Sequence, residues 1–236
     1  MKNSTKLLSR GKTNAKTAKN ILETYILYMA PFNLNSKGIN LCVNATPGCI
    51  LACLNTAGLG GVYPSIQQAR IKKADYFVNS RLEFLTKLDR ELSNLDKKAK
   101  KGDYKIEVRL NGTTDLDYFG LFRSKGMDIL KYTNLIYYDY TAILGKALKY
   151  KDHPNYSVTF SRKENNEENC KKALFNRIHV AVVFDHKKPL PATYLGYKVI
   201  DGDKSDDIMI YENNACILGL KAKGKAKKDI TGFVVR

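Results

Sequence analysis

No stretch of this 236-residue sequence approaches the roughly 20 consecutive apolar residues that a membrane helix needs, so no membrane role is expected. The first twenty residues, Met1 to Asn20, hold no apolar core of the kind a secretory signal carries. The expected location is therefore the cytoplasm. Acid is scarce: 23 Asp and Glu stand against 40 Lys and Arg, for a net charge of +17. Histidine is scarcer still. His153, His179 and His186 are scattered, with no paired metal motif and no evident Ser–His–Asp arrangement. Five cysteines, an odd number with three crowded together, argue against a disulfide framework and for a reducing compartment. No glycine-rich phosphate loop follows the first strand-like run.

Hydrophobic residues make up 44% of the chain, enough for a full core without disulfide staples, and the length fits one large domain. The basic excess is concentrated at the two ends. Residues 1–20 carry six basic residues and no acid, and residues 219–236 carry six against Asp229 alone; together they supply +11 of the net charge. Residues 1–20 read as a flexible basic tail on a single α/β domain of residues 21–236. Such ends attract polyanions, of which nucleic acid is the commonest in a cell. Lys221, Lys223 and Lys225 are the candidate contacts.

Soft ligands are concentrated in one place. Cys42, Cys49 and Cys53 lie within twelve residues, inside a loop spanning 42–58. Thiolates packed so closely can bind a metal ion or an iron–sulfur cluster, or they can be small apolar fillers. Ile50 to Leu54 reads as helical, which would put Cys49 and Cys53 at i and i+4 on one face with Cys42 approaching from the preceding loop.

From Ile66 to Lys101 apolar residues recur at near-helical spacing, with lysines closing the run before Gly102. The rhythm then changes. Strand-like runs at Lys105–Leu110, Leu135–Tyr140, Tyr156–Phe160, His179–Phe184, Tyr197–Ile200 and Cys216–Leu220 are separated, over the first four, by the helical candidates Tyr118–Lys131, Thr141–Tyr150 and Glu164–Asn176. Repeats of strand and helix over 105–222 imply parallel strands with crossover helices. With Glu23–Tyr28 as a first strand, the count suits a partial or complete parallel (β/α) barrel. Polar residues gather just past the strands: Asn111, Thr113, Thr114 and Asp115; Asp139, Tyr140 and Thr141; Ser161 and Arg162; Asp185 and His186; Asp201, Asp203, Asp206 and Asp207. In a barrel all of these share one face, where such folds build active sites. Turns between strands and helices favour the same residues as caps.

Several strings look familiar together: Tyr25 to Pro31; Cys42 to Gly58; Ala69 to Lys73; Arg109 to Asp115; Tyr138 to Thr141; Asn155 to Ser161; Ala181 to Phe184; and Val199 to Asp203 through Gly219 to Gly224. Over roughly residues 24–235 the chain resembles a family of bacteriophage and mobile-element proteins called gene product 88, mostly of unassigned function. One departure is Ala142, where that pattern continues with a lysine. The family layout is in turn similar to radical S-adenosylmethionine enzymes, in which a three-cysteine loop precedes a series of parallel strands. Those enzymes usually place three and then two residues between the cysteines; here six and three intervene.

The resemblance implies a [4Fe–4S] protein in the host cytoplasm, with Cys42, Cys49 and Cys53 on three irons. The fourth iron would be open to a substrate or to S-adenosylmethionine, and Asn111, Asp115, Asp139 and Asp203 would line the same mouth as catalytic residues. The substrate would be nucleic acid or a nucleotide. Two alternatives stand beside it. One is a nucleic-acid-binding protein with a structural zinc completed by another Cys or His. The other is a magnesium-dependent nuclease using Asp115, Asp139, Asp201 or Asp203.

Overall fold

A computed structural model of the protein describes residues 6–13 and 16–236. Nine strands form one sheet: β1 (Leu8–Arg10), β2 (Thr24–Leu27), β3 (Ile106–Arg109), β4 (Leu135–Thr141), β5 (Tyr156–Ser161), β6 (Val180–Phe184), β7 (Thr193–Tyr194), β8 (Tyr197–Asp201) and β9 (Ile217–Lys221). Their order is β1-β2-β3-β4-β5-β6-β9-β8-β7. The seven strands from β2 across to β8 are parallel, and β1 and β7 are antiparallel edges. Strands β2 to β6 are therefore neighbours in chain order, as repeated crossovers in one direction produce.

The crossovers carry the helices. Between β2 and β3 lie α1 (Pro47–Leu51), α2 (Gly58–Val62), α3 (Pro64–Asn79) and α4 (Arg81–Gly102). Then α5 (Tyr118–Arg123), α6 (Leu144–Tyr150), α7 (Glu167–Phe175) and α8 (Ile208–Tyr211) follow β3, β4, β5 and β8. Side chains alternate across a strand, so the sheet has two faces of different chemistry. Ile106, Val108, Leu135, Tyr137, Val158, Phe160, Val180 and Val182 bury themselves in the main core with Phe84, Leu85, Leu88 and Leu92 of α4. The opposite face carries Thr24, Glu107, Arg109, Tyr138, Tyr140 and Thr159 beside a smaller apolar cluster of Ala181, Met209 and Leu218.

Several expectations need correction. The sheet is open, not a closed barrel: β1 covers the free edge of β2, and β8 with β7 covers that of β9, so first and last parallel strands never meet. The basic stretch 1–20, read as a free tail, is part of the fold wherever it is described. Leu7 and Leu8 are buried, β1 pairs with β2, and the Leu7 and Leu8 amides donate to Glu91. Lys2 lies outside the described residues. The helical run 66–101 is two helices, broken at Ser80, which leaves helical geometry with φ −137° and ψ 56°. The helix expected over 118–131 ends at Arg123, and Gly126 takes a left-handed φ of 69° in the turn that follows.

Charge is buried on the polar face. Lys16 lies 2.5 Å from Asp206, whose oxygens also accept from Tyr138 (3.2 Å) and Tyr140 (3.1 Å), with Arg109 at 3.8 Å. Beside them Glu107 is fully buried. Its Oε2 accepts from Asn20 (2.6 Å) and Thr24 (2.9 Å), while its Oε1 has no partner. Burial, helped by the nearby charge of Asp207, pushes Glu107 up to about 7. Its unfolded value is near 4.3, so folding favours the neutral acid. That contribution is full below about pH 4.3 and is lost as pH rises through 7. Glu107→Gln should therefore gain stability relative to the parent by about 2 kcal/mol between pH 5.5 and 8.5. Denaturant titration at the two pH values measures this, and parallel pH profiles would show that Glu107 is ionised in the fold.

Candidate metal centre at the carboxyl ends of the strands

The cysteine segment is fixed to the sheet at three points. The first is the turn after β3. Gly112 donates 3.0 Å to the Leu27 carbonyl, and a Cβ there would come within 2.8 Å of Leu27 O and Ile26, so the approach needs glycine. Asp115 N–H donates to Leu41 O at 3.0 Å, and Cys42 forms an isolated parallel bridge with Asp115. Cys42 Sγ then stands 3.8 Å from the Thr113 carbonyl.

The second point is the end of β4. Asn44 donates to the Ala142 carbonyl at 3.1 Å. Ala142 N–H donates to Asp115 at 2.8 Å, as does the Thr141 hydroxyl at 2.7 Å. Lys146, itself buried, places its ammonium 3.5 Å from the same carboxylate and donates to Leu116 O at 2.9 Å. The side chain at Ala142 offers no charge, and Lys146 supplies the cation beside Asp115.

The third point is the end of β5. Glu164 accepts from the Thr46 hydroxyl (2.7 Å) and from Gly48 N–H (2.8 Å), and Thr46 in turn caps α1 by accepting from Cys49 N–H at 3.3 Å. Burial opposes ionisation of Glu164, but those hydrogen bonds hold its carboxyl below the usual range. The neighbouring Lys163 ammonium lies 2.8 Å from Cys49 Sγ.

Cys53 departs from expectation. Helix α1 stops at Leu51, and Cys53, with extended ψ, instead caps the short turn Leu54–Thr56, its Sγ accepting from Asn55 N–H at 3.4 Å. Cys49 and Cys53 therefore do not share a helix face. The cause is Asn55, buried and held by Gln67 (2.8 Å) and Arg70 (2.7 Å), which turns the chain out of the helix. Arg70 also stacks 5.1 Å over Tyr28.

The three thiols still lie in one another's fields. Burial pushes Cys42 up to about 12, and charge on Cys53, Asp115 and Cys49 adds to it. Cys53 is raised by burial and by Cys49, and lowered by Lys163 and Arg70. Among the described residues, no three His, Cys, Asp or Glu side chains stand together as ligands of one metal ion.

The residues expected to line the mouth divide into two groups. Asp139 is buried and accepts from both Asn111 N–H and Asn111 Nδ2, each at 2.9 Å. Asn111 Oδ1 accepts from Thr114 Oγ1 (3.0 Å) and Leu116 N–H (2.9 Å). Asn111, Asp115 and Asp139 thus form one network under Cys42, with their polar atoms already spent on the chain. Asp203 is elsewhere, accepting from Lys221 N–H (2.8 Å) and Lys223 Nζ (2.7 Å). Lys221 turns its ammonium to the carbonyls of Asp185 and Lys188. Of the three expected nucleic-acid contacts only Lys225 is exposed without an ion pair among the described residues. Cys170 contacts Asn166, and Cys216 lies 3.3 Å from His179 Nδ1. Lys163, Glu164 and Arg70 do not stand out in the sequence as site residues. Lys163 and Glu164 directly follow the Ser161-Arg162 pair read as a strand end, and Arg70 falls in one of the matching strings.

The family model described as gene product 88 matches residues 5–236. The chain belongs to that family. The strings that carried the gene product 88 resemblance now have places: Arg109 to Asp115, Tyr138 to Thr141 and Asn155 to Ser161 are β3, β4 and β5 with their carboxyl-end turns, and Cys42 to Gly58 is the segment seated on those turns. No match was found among curated proteins or among solved structures. No helix among the described residues is long and apolar enough to cross a membrane.

Proposed function

We propose that this gene product 88 protein is an iron–sulfur protein of the radical S-adenosylmethionine type, acting on nucleic acid or a nucleotide. One observation carries the reading. The cysteine segment follows the first parallel strand and is seated on the carboxyl-end turns of the next three, with Cys42 bridged to Asp115 and Cys49 against Lys163. Parallel sheets place their chemistry at that edge.

The donor set fits a cluster better than a single ion. One zinc, bound at about 2.3 Å by each sulfur, would need the thiols drawn onto one point. Here Cys42, Cys49 and Cys53 face separate partners, and no three ligands stand together among the described residues. A cluster spreads its ligands over several corners. Burial raises Cys42 and Cys53, and Lys163 and Arg70 oppose that rise at Cys53, on the side of the thiolate that ligation requires. Cys42, Cys49 and Cys53 would hold three irons, and the bound cluster would supply one-electron reduction at a fourth, open iron. The remaining groups position: Glu164 and Thr46 set α1, and Asp139, Asn111 and Asp115 set the turn behind Cys42. The partial-barrel reading is supported by the run of parallel strands in chain order.

Anaerobic purification with iron, sulfide and zinc analysis tests the proposal. The expected outcome is about four irons per chain and a broad thiolate-to-iron absorption band, both lost in Cys49→Ser. A colourless chain with one zinc, or Cys49→Ser with unchanged metal content, would overturn it.

A further inference from the structure

Beyond the three sulfurs, the segment Leu51–Cys53 borders a groove of about 270 Å³ between α1 and the basic turn Gly224–Lys228. Leu51, Ala52 and Ile230 form its apolar surface, and Lys225 and Lys228 stand at its rim. We infer that a single strand of nucleic acid lies along this groove, its phosphates on Lys225, Lys227 and Lys228 and one unstacked base over Leu51, Ala52 and Ile230. This rests on the cluster reading in one respect: Ala52 lies between two of the ligands, so the base would sit beside the cluster.

The charge in the turn is uncompensated. Lys225, Lys227 and Lys228 make no ion pair or hydrogen bond among the described residues. Asp229, the one acid of the last eighteen residues, also lines the groove, but its carboxylate is engaged by Thr231 Oγ1 (2.6 Å) and Val234 N–H (3.0 Å). Three ammonium groups over one short turn repel each other, and a polyanion relieves that repulsion by releasing its counterions.

The apolar part sets the rest. Ile230 is 95% exposed and Leu51 62%, in contact with water at no benefit to the fold. The space of about 270 Å³ is just under the about 300–1,000 Å³ of ordinary ligand sites, enough for one ring. Single-stranded nucleic acid combines a regularly charged backbone with flat rings that lie on side chains, and enzymes that act on a base take it out of the stack. An acidic peptide has the charge and lacks the ring.

Anisotropy of a fluorescent 12-nucleotide single strand, with the anaerobic, metal-loaded full chain, provides the test. Lys225→Glu/Lys227→Glu/Lys228→Glu should weaken binding at least tenfold at low salt and reduce the slope of log affinity against log salt by about 2, from about 0.7 per phosphate contact. Ile230→Ser should narrow the preference for single strand over duplex. Unchanged binding by the triple variant, equal affinity for a duplex, or lysine-dependent binding of polyglutamate but not of the oligonucleotide would each overturn the inference. Iron analysis of the same samples separates the two readings. Lysine-dependent binding without iron removes the cluster and leaves the groove; iron without lysine dependence does the reverse.

Discussion

Asp206→Ala should destabilise the fold by about 3–5 kcal/mol, the range for removing one partner of a buried ion pair. Asp206 stands 2.5 Å from Lys16 and 3.8 Å from Arg109, and the two cations flank the Tyr140 ring at 5.4 and 4.8 Å. Without Asp206, two like charges stay on a buried face, and the hydroxyls of Tyr138 and Tyr140 lose their acceptor. Burial opposes the charge on Asp206, yet Lys16 and Arg109 hold its carboxyl below the usual range. The contribution is therefore complete above the unfolded value near 3.9 and disappears as pH falls through the lowered folded value. Denaturant unfolding at pH 7 measures the loss. Lys16→Met combined with Asp206→Leu should recover part of it, because the pair leaves together. A loss below about 1 kcal/mol for Asp206→Ala would mean that solvent reaches these groups.

The alternation of sheet and helix was plain in the sequence because parallel strands buried on both faces read as short, dense apolar runs. His179–Phe184 was expected and Val180–Phe184 is the strand; Cys216–Leu220 was expected and Ile217–Lys221 is the strand. Closure was not legible, since nothing local in Leu8–Arg10 announces that it will cap the edge of β2. Two leucines among lysines look like tail until Glu91 and β2 are brought beside them. The end of the cysteine helix is hidden for a related reason. Ile50 to Leu54 favours helix on local pattern, and the force that ends it at Leu51 comes from Asn55, whose partners Gln67 and Arg70 are more than ten residues away. Three cysteines close in sequence do come within reach of one another's charge, yet among the described residues no three ligands stand together. The aspartates at the strand ends hold their turns, Asp115, Asp139 and Asp203 accepting from the N–H groups of Ala142, Asn111 and Lys221, a use that the sequence pattern does not separate from chemistry.

Asp139 makes that difference measurable, and Asp139→Ala should cost about 3–5 kcal/mol by leaving buried donors without an acceptor. The two donors are Asn111 N–H and Nδ2, both at 2.9 Å, and Asn111 in turn fixes Thr114 and Leu116. That turn carries Asp115, whose backbone bridges Cys42. On the proposed cluster reading the loss should spread to the cysteine segment: iron per chain should fall with stability, although Asp139 is not proposed as a ligand. Asp139→Asn keeps one acceptor for the Asn111 N–H but sets an amide NH2 against Asn111 Nδ2, so an intermediate loss of both quantities is expected. A carboxylate that took part in the reaction would behave otherwise. Asp139→Asn would then keep its iron and its stability and lose only turnover. Measuring iron content and unfolding on the same preparations of both variants decides between a residue that reacts and one that holds the turn beneath Cys42.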